Sequence, residues 1–182
     1  MNNFEIYYNN IRGVKSKINS LKSIIKERRP EMIVLVETWL EDNEEFMIEG
    51  YTPYRNNRNA NGGGVVIAVK NNLKHITKKV YETKGNLESI WITIDNNKIK
   101  TRIGAVYIPK EKIKKAELEK VYNQLSGEIE QGMISCHQTL VIGDTNAKIE
   151  DEGDSIGGKL QEEMIERLDL ELINGTEICE GR

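Results

Sequence analysis

Sulfur and imidazole are scarce in this chain, which has two cysteines and two histidines among 182 residues. Cys136 and Cys179 stand alone without CxxC spacing, so neither a disulfide framework nor a cysteine-based zinc site is indicated. Long apolar runs are missing too. The longest, Met32–Val36 and Val65–Val69, are far too short to span a bilayer. The opening "MNNFEIYYNN" has no basic n-region and no apolar h-region, so no secretory signal is expected and an intracellular location is the default. Repeats, low-complexity blocks and linkers are also lacking, and no domain boundary emerges.

What is present suits one domain over 1–182 with a sizeable core. Hydrophobic residues make up 38% and charged residues 30%, a balance that reads as soluble and globular rather than disordered. Net charge is −3 but unevenly spread. Residues 1–127 carry 22 Lys/Arg against 15 Asp/Glu, and residues 128–182 carry 4 against 14. The first part is equipped to touch phosphates, although the total lacks a strong electrostatic footprint for nucleic acid.

Hydrophobic patterning gives the elements. "FEIYYNN" (4–10) reads as a first strand, and Val14, Ile18, Leu21 and Ile25 fall on one helical face that Pro30 ends. "MIVLV" (32–36) is a continuous apolar run, as expected of a strand covered on both faces. "GGGVVIAVK" (62–70), "ESIWITI" (88–94) and "KTRIGAVYI" (100–108) are rich in strand-favouring residues, with a turn at Asp95-Asn96-Asn97. Leu118, Val121, Leu125 and Ile129 mark a second helix. A strand at 139–143, the polar loop "AKIEDEGDSIGG", a helix carrying Leu160, Met164 and Leu168, and a strand starting at "LELIN" (170–174) complete the order. Sequential hairpins mixed with helices favour an α+β or layered sandwich over a regular βαβ repeat.

Several of these strands finish on polar groups. The first ends at Asn9-Asn10, the second at Glu37 and the fifth at Tyr107; the strand in "LVIGDTNAKI" runs into Asp144 and Asn146. Asp and Asn are common strand-to-turn residues, so a turn role stands beside a chemical one. As chemistry, a carboxylate on each of two core strands suits a divalent cation, which prefers oxygen ligands. Amides and a phenol donate to phosphate oxygens without adding negative charge. Metal-assisted phosphoester hydrolysis needs this inventory.

The order "NNIRGVKSK", "ETWL", "GGGVVIAV", "AVYIP" and "GDTNA" closely resembles the endonuclease/exonuclease/phosphatase superfamily. Within it, the match is best to the apurinic-endonuclease-like domains of LINE-type (non-LTR) retrotransposons, whose signatures read WNxRGLxSK, ETWL, R-x(n)-GGGVAI, YxPP and GDFNA. The resemblance implies a DNase-like α/β sandwich of two face-to-face sheets flanked by helices. It implies hydrolysis of DNA phosphodiester bonds with Mg²⁺ (or Mn²⁺), a nuclear site of action on genomic DNA, and fusion to or derivation from a reverse transcriptase polyprotein. By the same resemblance Glu37 is the main metal ligand, and Asn10 joins the active-site hydrogen-bond network. Tyr107 places its hydroxyl near the scissile phosphate, Asp144 orients or activates the attacking water, and Asn146 holds a phosphate oxygen. Arg58 and the glycines after it match a motif that supports the sheet and the DNA surface.

The chain departs from the pattern in three places. Asn9 replaces the usual aromatic before Asn10, and Thr145 replaces the Phe of GDFNA. Family members also continue to a Ser-x-Ile-Asp segment and a terminal Asp-His pair, which this sequence does not contain. His75 and His137 lie outside the matching positions, and neither is read as catalytic. The expectation is therefore a domain without its last strands that binds divalent metal yet cuts DNA poorly. Two other readings stay open: another phosphoesterase of the superfamily, such as a deadenylase or phosphatase, and a non-catalytic interaction module that keeps the fold.

Overall fold

A computed structural model of the chain describes residues 4–58, 62–73, 76–83, 86–95, 99–110, 113–148 and 155–173. Eight strands and three helices follow in the order β1 (Ile6–Asn10), α1 (Ile18–Arg28), β2 (Met32–Val36), β3 (Tyr51–Asn56), β4 (Val65–Lys70), β5 (Ile76–Thr83), β6 (Glu88–Asp95), β7 (Lys100–Tyr107), α2 (Lys115–Ser135), β8 (Gln138–Asp144) and α3 (Ile156–Arg167). They build two four-stranded sheets, ordered β1-β2-β4-β3 and β5-β6-β7-β8. Only β1–β2 and β7–β8 are parallel. The expected two-sheet sandwich flanked by helices is what forms.

Alternation along the strands explains the layering, because successive side chains point to opposite faces. In β2, Met32, Val34 and Val36 join Val65, Ile67 and Val69 of β4 in facing Ile90, Ile92, Ile103 and Ala105 of the second sheet. Ile33 and Leu35 point the other way, onto Leu21 and Ile25 of α1. That double burial is why "MIVLV" reads as an unbroken apolar run. Outside the second sheet, Trp91 and Val106 pack against Val121, Leu125 and Ile129 of α2 and Met164 of α3.

Several boundaries differ from the sequence reading. The first helix starts at Ile18, with Val14 held in a short 3₁₀ turn before it. Arg29, at φ 51°, closes the helix ahead of Pro30. The strand in "GGGVVIAVK" begins at Val65, because Gly63 and Gly64 adopt φ of 70° and 88°, outside extended backbone. Helix α3 starts inside the presumed polar loop, where the Ser155 hydroxyl caps it by accepting from the Gly158 N–H at 3.0 Å. Residues 170–173 form no strand; the Leu170 N–H bonds the Ile165 carbonyl and its side chain packs against the α2–α3 layer. The turn at Asn96-Asn97 and His75 lie outside the described residues.

Candidate active site

Strand direction gathers the polar ends. Parallel pairing puts Asn10 beside Val36, hence Glu37 just beyond, and puts Tyr107 beside Asp144. Antiparallel pairing brings the start of β4 and the start of β6 to that same end, with Val65 opposite Val36 and Glu88 opposite Tyr107. Four sequence-predicted residues from two sheets therefore meet at one end of the sandwich.

The Asn10 amide joins them. Its Nδ2 donates to Glu37 Oε1 and to Asp144 Oδ2, both at 2.8 Å. Its Oδ1 is buried and has no hydrogen-bond partner among the described residues. The Tyr107 hydroxyl lies within the field of the Glu37 carboxylate, which helps to raise its pKa. Asp144 Oδ1 accepts from the Asn146 N–H at 2.8 Å, an Asx turn, and Asn146 Nδ2 donates to the Ile108 carbonyl at 2.9 Å. Asp144 thus turns the chain with one oxygen and meets Asn10 with the other. Arg58 Nη1 lies 3.5 Å from Oε1 of Glu88, the first residue of β6. His137 is at the opposite end, where its Nδ1 accepts from the Lys100 N–H at 3.0 Å.

Three contributors were not singled out by the sequence reading. Tyr8 shares a strand face with Asn10, two residues on, and its phenol is pushed up to about 12 by burial and by the negative charges of Asp144 and Glu37. Period-two counting from Asn10 is the signal that finds it. Gln161 of α3 accepts from the Thr145 hydroxyl at 2.6 Å and from the Tyr122 hydroxyl at 3.3 Å, which ties the Asp144–Asn146 loop to the helices. Glu88 is buried beneath the glycine loop. Tyr107 is raised above the ordinary phenol value, first by burial and then by Glu37, so it keeps its proton and acts as a donor.

Tyr122 gives a pH test of this packing. Burial raises its pKa from 10.0 to about 12. The folded state therefore holds a proton that the unfolded chain releases, and the associated stability is complete below pH 10.0 and is lost as pH climbs toward about 12. Tyr122→Phe is expected to flatten that fall, as read from urea midpoints across the interval.

The donor set fits a hard divalent cation. Two carboxylates and an unpartnered amide oxygen converge, and Mg²⁺ is commonly held by one or two carboxylates with waters completing its shell. No cluster of three or more His, Cys, Asp or Glu side chains occurs among the described residues, so a closed all-protein metal cage is not what they build. No helix among them is long and apolar enough to cross a membrane.

A two-sheet sandwich with carboxylates, amides and a phenol at one end has the frame and groups of a phosphoester-cleaving enzyme. Residues 8–160 match the model of the Endonuclease/Exonuclease/phosphatase family, and the chain belongs to that family. Similar solved structures include the endonuclease domain of TRAS1, a telomere-specific non-LTR retrotransposon, at TM-score 0.71 and 16% identity over 93% of this chain and 74% of that one. The 3'-5' exonuclease NExo from Neisseria meningitidis gives TM-score 0.66 and 14% identity, covering 88% of this chain and 70% of that one. TDP2 from D. rerio, complexed with single-strand DNA product, gives 0.60 and 13%, covering 86% and 64%. These likenesses speak for the fold, and the chain spans about two thirds to three quarters of those proteins. No curated protein matches the chain.

Proposed function

We propose that this chain is a metal-dependent phosphodiesterase that nicks DNA, of the kind carried by non-LTR retrotransposons. The observation that carries the reading is the single Asn10 amide donating to carboxylates from two different sheets, Glu37 and Asp144. The TRAS1 endonuclease fold, the family's ordered motifs and the DNA product bound to TDP2 support DNA over other phosphoesters.

In this reading Glu37 is the principal ligand of Mg²⁺ or Mn²⁺, and Asn10 Oδ1 lies ready to join it. Bound there, the cation supplies Lewis-acid polarisation of the phosphate. Asp144, fixed by Asn10 and the Asn146 N–H, orients the attacking water and takes its proton. Tyr107 keeps its hydroxyl proton and donates to the scissile phosphate. Asn146 spends one amide hydrogen on Ile108 and offers the other to a phosphate oxygen. Among the described residues, amides and a phenol are the neutral donors this end of the sandwich offers to charge developing on the phosphate.

Removing the charge of Glu37 tests the reading directly. Glu37→Gln keeps the side-chain shape and is expected to weaken Mn²⁺ binding by at least about tenfold, near 1.4 kcal/mol, by water-proton relaxation. Equal affinity in the variant removes Glu37 from the metal site.

A further inference from the structure

Glu88 opens β6 and is 3% exposed, an unusual place for a carboxylate. Burying such a charge is costly unless it is paired and hydrogen-bonded. Its Oε2 accepts the Gly64 N–H at 2.6 Å, and Arg58 lies 3.5 Å from its Oε1. The glycine loop rests directly on the carboxylate: a Cβ on Gly63 would sit 2.5 Å and 2.7 Å from its two oxygens.

The same loop holds the turn after β2. The Gly64 carbonyl accepts from the Thr38 N–H at 3.2 Å, and the Gly63 carbonyl accepts from the Trp39 N–H at 3.0 Å. Glu37 and Trp39, on either side of Thr38, have φ of 54° and 55°, a left-handed backbone that side-chain-bearing residues adopt only when their surroundings enforce it. From the other side, the Gly13 N–H donates to the Glu37 carbonyl at 2.8 Å and the Val14 N–H to the Thr38 carbonyl at 3.0 Å. The turn that aims Glu37 at Asn10 is thus clamped between two loops, and Glu88 is the seat of one of them. Glu88 is also the cross-strand neighbour of Tyr107.

We infer that Glu88 is a positioning residue for the metal ligand Glu37: it seats Gly63–Gly64, which hold the Glu37–Trp39 turn, with Arg58 as its counter-ion. The inference rests on the metal-site reading above and assigns Arg58 a place behind the site.

Mn²⁺ affinity and melting temperature of the whole chain provide the test, measured for the parent, Glu37→Gln, Glu88→Ala, Glu88→Gln, Glu88→Asp and Ile25→Ala. Leaving the buried Gly64 N–H without an acceptor is expected to weaken Mn²⁺ binding roughly tenfold in Glu88→Ala. Glu88→Gln keeps an oxygen at the same reach and should bind close to the parent. Glu88→Asp keeps the charge, loses the reach and should bind like Glu88→Ala. Ile25→Ala, in the α1 layer, should lower the melting temperature without changing affinity. Should Glu88→Ala fail to fold, the Gln and Asp variants still separate reach from charge. Parent-like binding by Glu88→Ala or Glu88→Asp overturns the inference, and so does a loss in Glu88→Gln. If instead the parent and Glu37→Gln bind Mn²⁺ alike, the metal site itself is misread and the inference falls with it.

Discussion

Asp144→Asn is expected to slow DNA nicking by about 10²–10⁴-fold, the usual contribution of a positioned general base. The substitution is nearly isosteric, yet it leaves one of two donors unmatched. Asp144 Oδ2 faces the Asn10 NH₂ and Oδ1 faces the Asn146 N–H, so both oxygens meet donors. An amide there has one oxygen for two donors, and its own NH₂ must confront one of them. The carboxylate that would take a proton from water is lost as well. Single-turnover relaxation of supercoiled plasmid in Mg²⁺, at large enzyme excess, makes slow cutting visible. An unchanged melting temperature with lost nicking places the effect in the chemistry. Nicking at the parental rate by the Asn variant removes Asp144 from the role of base.

Gly143→Ala carries the largest expected cost in stability. Gly143 pairs with Val106 across β7 and β8, and an added Cβ would overlap the Val106 carbonyl, with the carbonyl carbon at 2.7 Å. The obstacle is backbone, so no rotamer change relieves it, and β8 has to move away from β7. Overpacking of this kind costs ~3 kcal/mol or more. At this chain length that corresponds to a fall in melting temperature of roughly 6–12 °C. Because Asp144 is the next residue, Mn²⁺ binding should fail alongside. A variant that melts within two or three degrees of the parent, to order of magnitude, and binds Mn²⁺ normally would show that β8 yields without cost.

The sequence was most legible where burial is two-sided. The apolar runs of β2, β4, β6 and β7 face an inner core and an outer helix layer at once, and that demand appears directly in their composition. It was least legible in two of the four edge strands, β3 and β5. "YTPYRN" contains Pro53, which argues against a strand, yet β3 lies at an edge and pairs only with β4, where a proline is tolerated. β5 is the edge strand of the other sheet and shifts register between Thr77 and Tyr81, which breaks the alternation that pattern reading depends on. "LELIN" erred in the other direction: Leu170 packs into the helix layer behind α3, while Leu172 and Ile173 stay exposed. At the candidate site, the motif-bearing Asn10, Glu37, Tyr107 and Asp144 stood out in the sequence, whereas Tyr8, Glu88 and Gln161 did not; the last two share one reason. Each acts through side-chain contacts with a loop distant in sequence, and no local pattern encodes such contacts.

The two central carboxylates belong to separate hydrogen-bonded ladders, Glu37 following β2 and Asp144 ending β8. A bound cation would therefore be a rivet across the sandwich, joining layers that otherwise share apolar packing and a few side-chain contacts. Amide exchange should register this unequally. The Thr38, Trp39 and Asn146 N–H groups, held by loops, are expected to exchange through local openings well before the β2–β4 and β6–β7 ladders release theirs. Adding Mg²⁺ should slow those loop amides selectively, leaving the ladder amides to report global unfolding.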